Sequence, residues 1–482
     1  MTGAKLAEGL YVFALSGLAI YALHALILIL LYLRHRRDPE PVVPAIPDAS
    51  LPVVTVQVPL RNEQHVARRV LRAVGGLDWP RDRLEIQILD DSDDETCEIV
   101  DCEVTRLRDA GVDVHVMRRA QPEGYKAGAL AIGCDRARGE YLALFDADFK
   151  PAPDFLRRTV PHLVNDPTLG MVQARWAHLN DTYSPITRAQ ALALDAHFSV
   201  EHVARNRAGL LINFNGAAGV WRKAAILDAG GWQSDTVTED LDLSYRAQLA
   251  GWGVRYLPDV AAPAELPPLV SAFKAQQVRW AKGASQCLRK LAGPIVRSTR
   301  LTWVQKVMAL LHLSGYFNQV FLLLMILLTL PIVLTSPDFS GMAAVLGGLA
   351  SVPPLLFVMG QMALYRDWPR RVLAYPLLML LGVGLAWSNT RAVVSGLLHW
   401  GGPFTRTPKF QIRGQEGDWR DSVYRPGAGV LDAGELAIGL YAVSAAGLAV
   451  WRGQSQMLPL VVVYALGELV MIGVTWRQVL GR

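Results

Sequence analysis

The chain has 482 residues, 51% hydrophobic and 19% charged, with a mean hydropathy of +0.23, too apolar for an ordinary soluble protein of this size. Residues 34–302 carry 68 of its 91 Asp, Glu, Lys and Arg residues, about 25% of that stretch, whereas the other 213 positions carry 23. A charge-rich block between apolar flanks excludes a purely soluble protein, a disordered one and a transporter made only of membrane helices. The formal charge of +5 gathers at the flanks of apolar segments, which argues against a nucleic-acid partner. Cys97, Cys102, Cys134 and Cys287 show no CxxC spacing, so reduced thiols are expected, and no disulfide framework or zinc site.

Residues 10–33 form an apolar run with His24 as the one titratable group, long enough to cross a hydrocarbon core of about 30 Å. No small-residue cleavage site follows, so the run reads as an anchor. Arg34, His35, Arg36 and Arg37 come next, and the positive-inside bias puts this end, and the block after it, in the cytosol. Within the block, residues 53–59, 84–89, 112–117 and 141–145 read as strands, and residues 62–77 as a helix. Strands alternating with helices predict a parallel, doubly wound sheet, where ligands sit at the carboxyl ends of strands. Two acidic clusters fall at such ends: Asp90, Asp91, Asp93 and Asp94 after the second strand, and Asp146 and Asp148 after the fourth. An Asp-x-Asp pair after a buried strand can give one carboxylate to a divalent cation shared with substrate phosphates, and it can also be a solvated acidic loop.

Further along, Thr238, Glu239 and Asp240 precede a helical pattern at 241–249. Either Thr238 or Asp240 caps that helix, or a carboxylate there acts as a general base on an acceptor hydroxyl. In Gln276, Gln277, Val278, Arg279, Trp280, an arginine suits a leaving diphosphate and a tryptophan face suits a sugar ring, although the same run fits an amphipathic helix at a membrane surface. Gly124 to Gly128, with Lys126, suits close backbone approach to a nucleotide or an ordinary loop. Residues 313–334 and 342–364, joined through Pro337 and Asp338, read as an out-and-back pair ending at Arg366, Arg370 and Arg371. Residues 372–389 have basic flanks on both sides and read as a re-entrant or interface helix. Residues 436–451 and 457–476 form a last hairpin with Glu468 inside it. The count is five spans, or six if the short segment crosses.

Taken together, the stretches WPRDRLEIQILDDSDD, GYKAGAL, FDADFKPAPDFL, GMVQARW, FNGAAGVWR and TEDLDLSYRAQLAGW, with Gln-x-x-Arg-Trp, resemble the membrane-integrated processive family 2 glycosyltransferases, above all the cellulose-synthase-like proteins that make β-1,4-mannan or glucan backbones. The resemblance covers roughly residues 50–290 and continues in Phe404, Thr405, Arg406, Thr407, Pro408 and Lys409, which look like the family's gating loop. It implies an α/β nucleotide-sugar-binding fold of the GT-A type set between membrane helices, inverting transfer, and Mg2+ or Mn2+. Five segments are expected: an anchor (1–37), the GT-A domain (38–290), interface and membrane helices (291–400), the gating loop (401–430) and a terminal hairpin (431–482).

By position in those motifs, Pro59, Glu63 and Asp91 fall beside the nucleotide, Lys126, Gln276 and Arg279 at the diphosphate, Asp146 at the nucleotide and Asp148 at the metal. Lys409 joins the donor set. Asp240 is the expected general base, and Phe214, Asn215, Gly216 and Trp280 the acceptor contacts. His197 reads either as an acceptor contact or as a buried structural histidine. Arg61 and Val278 depart from the family pattern. The implied partners are a UDP-glucose or GDP-mannose donor, membrane lipids, and a polysaccharide acceptor or, alternatively, a lipid acceptor glycosylated once. A catalytically silent nucleotide-sugar-binding subunit is the reading from another class. The expected location is a bacterial inner membrane with the catalytic domain cytoplasmic.

Overall fold

The computed structural model describes residues 3–335, 351–403, 407–420, 422–424, 432–454 and 457–480. Seven strands, β1 (Val54–Leu60), β2 (Leu84–Asp90), β3 (Asp113–Met117), β4 (Tyr141–Leu144), β5 (Leu169–His178), β6 (Gly219–Arg222) and β7 (Gly253–Ala264), make one sheet in the order β3-β2-β1-β4-β6-β5-β7. β2 and β4 are buried at every position, as in a sheet covered on both faces; β4 is wholly apolar or aromatic, while in β2 Glu85 accepts from Thr55 and Gln87 pairs with Gln57. One layer packs Val70, Leu71, Val100, Val104 and Val160 onto the sheet, and the opposite layer packs Leu130, Phe214, Trp221, Ile226 and Leu243.

β1 runs parallel to β2 and β4, β2 to β3, and β5 to β7. The all-parallel expectation fails at β6, which is antiparallel to both β4 and β5. Gly216 and Ala218 have φ of +82° and +56°, and this turn delivers β6 to its slot from the opposite end. The helix expected over 62–77 is shorter, Ala67–Gly75. Asn62 has φ of +53°, its backbone N–H donates to Ser92 Oγ, and its side chain exchanges hydrogen bonds with Asp93, so residues 61–66 belong to the strand-end loops.

Among the described residues four helices are long and apolar enough to cross a membrane: Gly3–His35, Phe317–Thr335, Ala433–Trp451 and Leu458–Gln478. Gly3–His35 lies along Phe317–Thr335 so closely that a Cβ at Gly17 would come within 2.6 Å of the Phe321 ring. Residues 342–350 of the expected second partner lie outside the described residues, and the 13-residue helix Val352–Leu364 covers most of the rest. Residues 368–398 bend by 51° between Gly384 and Ala386, so the segment expected over 372–389 is no straight span. A Cβ at Gly384 would approach the Gly467 carbonyl oxygen to 2.8 Å, which seats the bend against the last helix. Helix Val270–Arg297 runs unbroken across the expected boundary at residue 290 and packs along Ala386–Leu398.

Candidate active site

The carboxyl ends of β1, β2, β4, β5 and β7 open into a cavity of about 270 Å³. Pro59, Arg61 and Glu63 reach it from β1, Asp91 from β2, Asp146 and Asp148 from β4, Trp176 and His178 from β5, and Glu265 from β7. Gln276, Arg279 and Trp280 close it from Val270–Arg297, where spacings of three and four put them on one helix face. A second cavity, of about 470 Å³, lies toward the apolar helices; Asp240, Asn215, Trp176, Gln276 and Trp280 border both.

Several charged groups in the first cavity are held by an opposite charge. Arg119 Nε donates to Asp91 Oδ1 at 2.9 Å, and the same guanidinium takes the carbonyl oxygens of Glu123 and Tyr125. That clamp shapes the turn in which Gly124 and Tyr125 have φ of +69° and +50° and which begins helix Tyr125–Arg136. Lys126, in the first turn, donates to Asp146 Oδ1 at 2.6 Å and to the Gly216 carbonyl oxygen at 3.0 Å. A Cβ at Gly216 would fall 2.8 Å from Asp240 Oδ2, so only glycine admits the base candidate so near the lysine.

Asp240 lies in the first turn of helix Glu239–Ala250. Its Oδ1 accepts the Leu241 N–H at 2.8 Å. Thr238 stands at the cap position without a side-chain capping bond; its hydroxyl lies beside Cys287 Sγ, and the methylene space it fills exists because residue 283 is glycine. The helix start thus favours negative charge at Asp240, while the other oxygen stays turned to the cavity. Burial raises the Asp240 carboxyl above its ordinary value, and Lys126 and Arg279 pull it back. Burial, then the Asp240 charge, raise Glu239 as well. A carboxylate raised in this way is a stronger base near neutral pH.

Lys409 Nζ donates to Asp148 Oδ2 at 2.6 Å and to the Glu265 carbonyl oxygen at 2.8 Å, while Glu265 Oε1 accepts the Phe410 N–H at 2.7 Å. Thr407 and Lys409 therefore border the cavity, and Phe410, Ile412 and Trp419 pack on Leu269 and Ala272. Tyr424 donates to Asp94 at 2.6 Å, so this segment arches over the strand ends. Phe404, Thr405 and Arg406 lie outside the described residues. Among the described residues no three His, Cys, Asp or Glu side chains converge as a metal cage. Asp148, expected at the metal, lines the cavity with Asp146 two residues away, and their carboxylate oxygens are the donor type that a divalent cation shared with a diphosphate prefers.

The structure gathers Pro59, Glu63, Asp91, Lys126, Asp146, Asp148, Asn215, Gly216, Asp240, Gln276, Arg279, Trp280 and Lys409 around the first cavity. Phe214 is the exception. Its ring is fully buried, edge-on to Trp221 in the core, and it borders neither cavity; in the extended run before β6, alternation turns Phe214 inward and Asn215 outward. His197 borders the second cavity, with Nδ1 at 2.8 Å from Glu201 and Nε2 at 3.3 Å from Asn215 Nδ2, and is not the enclosed structural histidine of the other reading. Val278 points among Ala281, Ala392 and Val393, an apolar seat that accounts for its departure from the basic type. His178, Glu265 and the second cavity's amides other than Asn215 and those of the Gln276–Trp280 motif were not expected; recognising β7 would have placed Glu265 at a strand end, whereas Asn213, Asn318, Gln319 and Asn389 carry no local pattern.

The profile of the "Glycosyltransferase like family 2" matches residues 52–283. Glucomannan 4-beta-mannosyltransferase 2 of Arabidopsis thaliana is 44% identical over 263 residues, 54% of this chain and 49% of that protein. Glucomannan 4-beta-mannosyltransferase 1 of Oryza sativa subsp. japonica is 44% identical over 279 residues, 57% of this chain and 54% of that protein. The chain spans about half the length of the curated relatives it matches. A mannosyltransferase of Pyrobaculum calidifontis, solved with GDP-Man and Mn2+, aligns over 80% of this chain and 99% of its own with a TM-score of 0.51 at 22% identity, a likeness of fold. Residues 52–283, with their strand-end aspartates and the Glu239–Ala250 helix start, thus match a family 2 glycosyltransferase domain in sequence and fold.

Proposed function

We propose that the protein is a membrane-embedded, inverting β-mannosyltransferase that moves mannose from GDP-mannose to the end of a growing β-1,4-linked polysaccharide, with the domain on the cytoplasmic side. The observation that carries this reading is the place of Asp240, where the charge-lined and the amide-lined cavities meet. The donor's base rests against Pro59, Glu63 and Asp91, and its diphosphate reaches Lys126, Arg279 and Gln276. Asp240 removes the proton of an acceptor hydroxyl as that oxygen forms a bond to the anomeric carbon and the carbon–phosphate-oxygen bond breaks on the opposite face. One displacement turns an α donor into a β linkage. Lys126 and Arg279 offset charge developing on the leaving diphosphate. When bound at Asp148, a divalent cation supplies further charge neutralisation there.

GDP-mannose is preferred over UDP-glucose because the 44% identical relatives are named as 4-beta-mannosyltransferases. A carbohydrate acceptor is preferred over a lipid because of the second cavity's chemistry. Asn213, Asn215, Asn318, Gln319 and Asn389 each carry a buried side-chain oxygen without a hydrogen-bond partner among the described residues, and Trp176 and Trp280 stand beside them. Amide oxygens and indole faces match sugar hydroxyls and ring faces and leave acyl chains unserved. Turnover of GDP-mannose, UDP-glucose and UDP-galactose by the purified, detergent-solubilised protein tests the donor. GDP-mannose is expected to be used at least tenfold better; preference for either uridine donor overturns that assignment.

A further inference from the structure

Strand alternation puts Trp176 and His178 on the same side of β5, toward the reaction cavity, which both of them line. The His178 side chain is nearly enclosed, 2% accessible, and so is Asp195 at 1%. His178 Nε2 lies 3.0 Å from Asp195 Oδ1. Gln361 Nε2 donates to Asp195 Oδ2 at 2.9 Å and the Tyr365 hydroxyl to Oδ1 at 3.4 Å. Burial pushes the Asp195 carboxyl up, but His178, Gln361 and Arg175 outweigh it and keep it below its ordinary value. An ionised carboxylate only accepts, so Nε2 carries a ring proton, and in the neutral tautomer Nδ1 keeps a lone pair. Among the described residues the His178 ring makes one hydrogen bond, the one between Nε2 and Asp195. The wall around it is apolar: Ala264, Leu266 and Pro267 from the paired strand end and Leu194 beside Asp195.

A carboxylate-oriented imidazole in an apolar wall of a reaction cavity is the arrangement by which a site fixes a polar ligand's orientation with few contacts. We propose that His178, held by Asp195, is a specificity-determining residue whose Nδ1 accepts a hydrogen bond from a sugar hydroxyl, on the hexose of the donor or on the acceptor terminus. The inference rests on the glycosyl-transfer reading. No bond is made or broken at His178; it orients the sugar relative to Asp240.

Three variants separate this role from a purely structural one. Gln at 178 keeps an amide nitrogen for Asp195 and removes the acceptor atom facing the cavity. Asn at 178 keeps an oxygen near the Nδ1 position and gives up Asp195. Phe removes both. Donor hydrolysis by water and elongation of an added β-1,4-mannooligosaccharide are measured for each, with GDP binding as a control of folding, since GDP lacks the sugar. We expect H178N to keep a KM within about twofold of wild type, and H178Q and H178F to raise KM roughly 5- to 10-fold with little change in kcat, the size of one lost hydrogen bond. A rise in the donor KM for hydrolysis places the hydroxyl on the donor; a rise confined to the oligosaccharide KM places it on the acceptor. The reverse ranking, with H178Q near wild type and H178N as impaired as H178F, overturns the proposal, as does an unchanged KM in all three. A wild-type protein that binds GDP and turns over no sugar nucleotide refutes instead the underlying glycosyl-transfer reading.

Discussion

The two cavities that meet at Asp240 are built from opposite chemistry. In the first, charges stand in opposite pairs: Lys126 with Asp146, Lys409 with Asp148, Arg119 with Asp91. In the second, the polar lining is mostly uncharged amide, and several of its oxygens have no hydrogen-bond partner among the described residues. Under the proposed function, the difference follows from what each would stabilise. A diphosphate gains charge as the glycosidic bond to it breaks, and preoriented cations stabilise that charge best in a dry site. A growing glycan is neutral throughout, so it calls for many weak, replaceable hydrogen bonds and flat apolar faces, and a strongly charged wall would hold it too tightly to let it move.

The sharpest way to break this comparison is at the shared residue. Replacing Asp240 with Asn keeps shape and the Leu241 hydrogen bond but removes the base; kcat should fall by roughly 10³-fold while GDP affinity, by calorimetry, stays near wild type. Loss of GDP affinity in parallel would move Asp240 out of its role between the cavities. Next in size, Lys126→Met should lower kcat about 10²-fold by removing a cation from the leaving group. It should also move the acid limb of the pH–rate profile. Asp240 works only when ionised and its carboxyl is raised by burial, so rate is lost as pH falls, starting above the ordinary carboxylate range. Lys126 pulls that value down, and its removal should shift the limb to higher pH. A limb shifted downward contradicts the electrostatics given for the first cavity.

The smallest effect is expected in the second cavity. Asn389→Leu removes one of several amides, and should raise the KM for an oligosaccharide acceptor roughly 3- to 10-fold while leaving donor hydrolysis unchanged. Equal effects on both reactions would erase the division of labour between the cavities.

The first cavity was legible in the sequence and the second was not. Asp91, Asp146 and Asp148 sit directly after apolar strand runs, and Lys126, Asp240, Gln276 and Arg279 fall in short motifs, so local order in the chain maps onto the strand-end rule of open α/β sheets. The amides of the second cavity come from separate elements, the loop before β6, helix Phe317–Thr335 and helix Ala386–Leu398, and meet only after the helices pack. An isolated Asn or Gln in an apolar run carries no periodic signal. The antiparallel sense of β6 was likewise hidden, because a four-residue strand, Gly219–Arg222, carries no signal of its direction, and Phe214 was misplaced because one residue of alternation separates core from cavity.

Product analysis after incubation with GDP-mannose tests the account most directly, using wild type and Asp240→Asn reconstituted in vesicles of phosphatidylethanolamine and phosphatidylglycerol. The account predicts material insoluble in organic solvent and cleaved by β-1,4-mannanase from wild type, and none above background from the variant. Mannosylated lipid extracted into chloroform–methanol as the sole product, or equal product from both proteins, would contradict it.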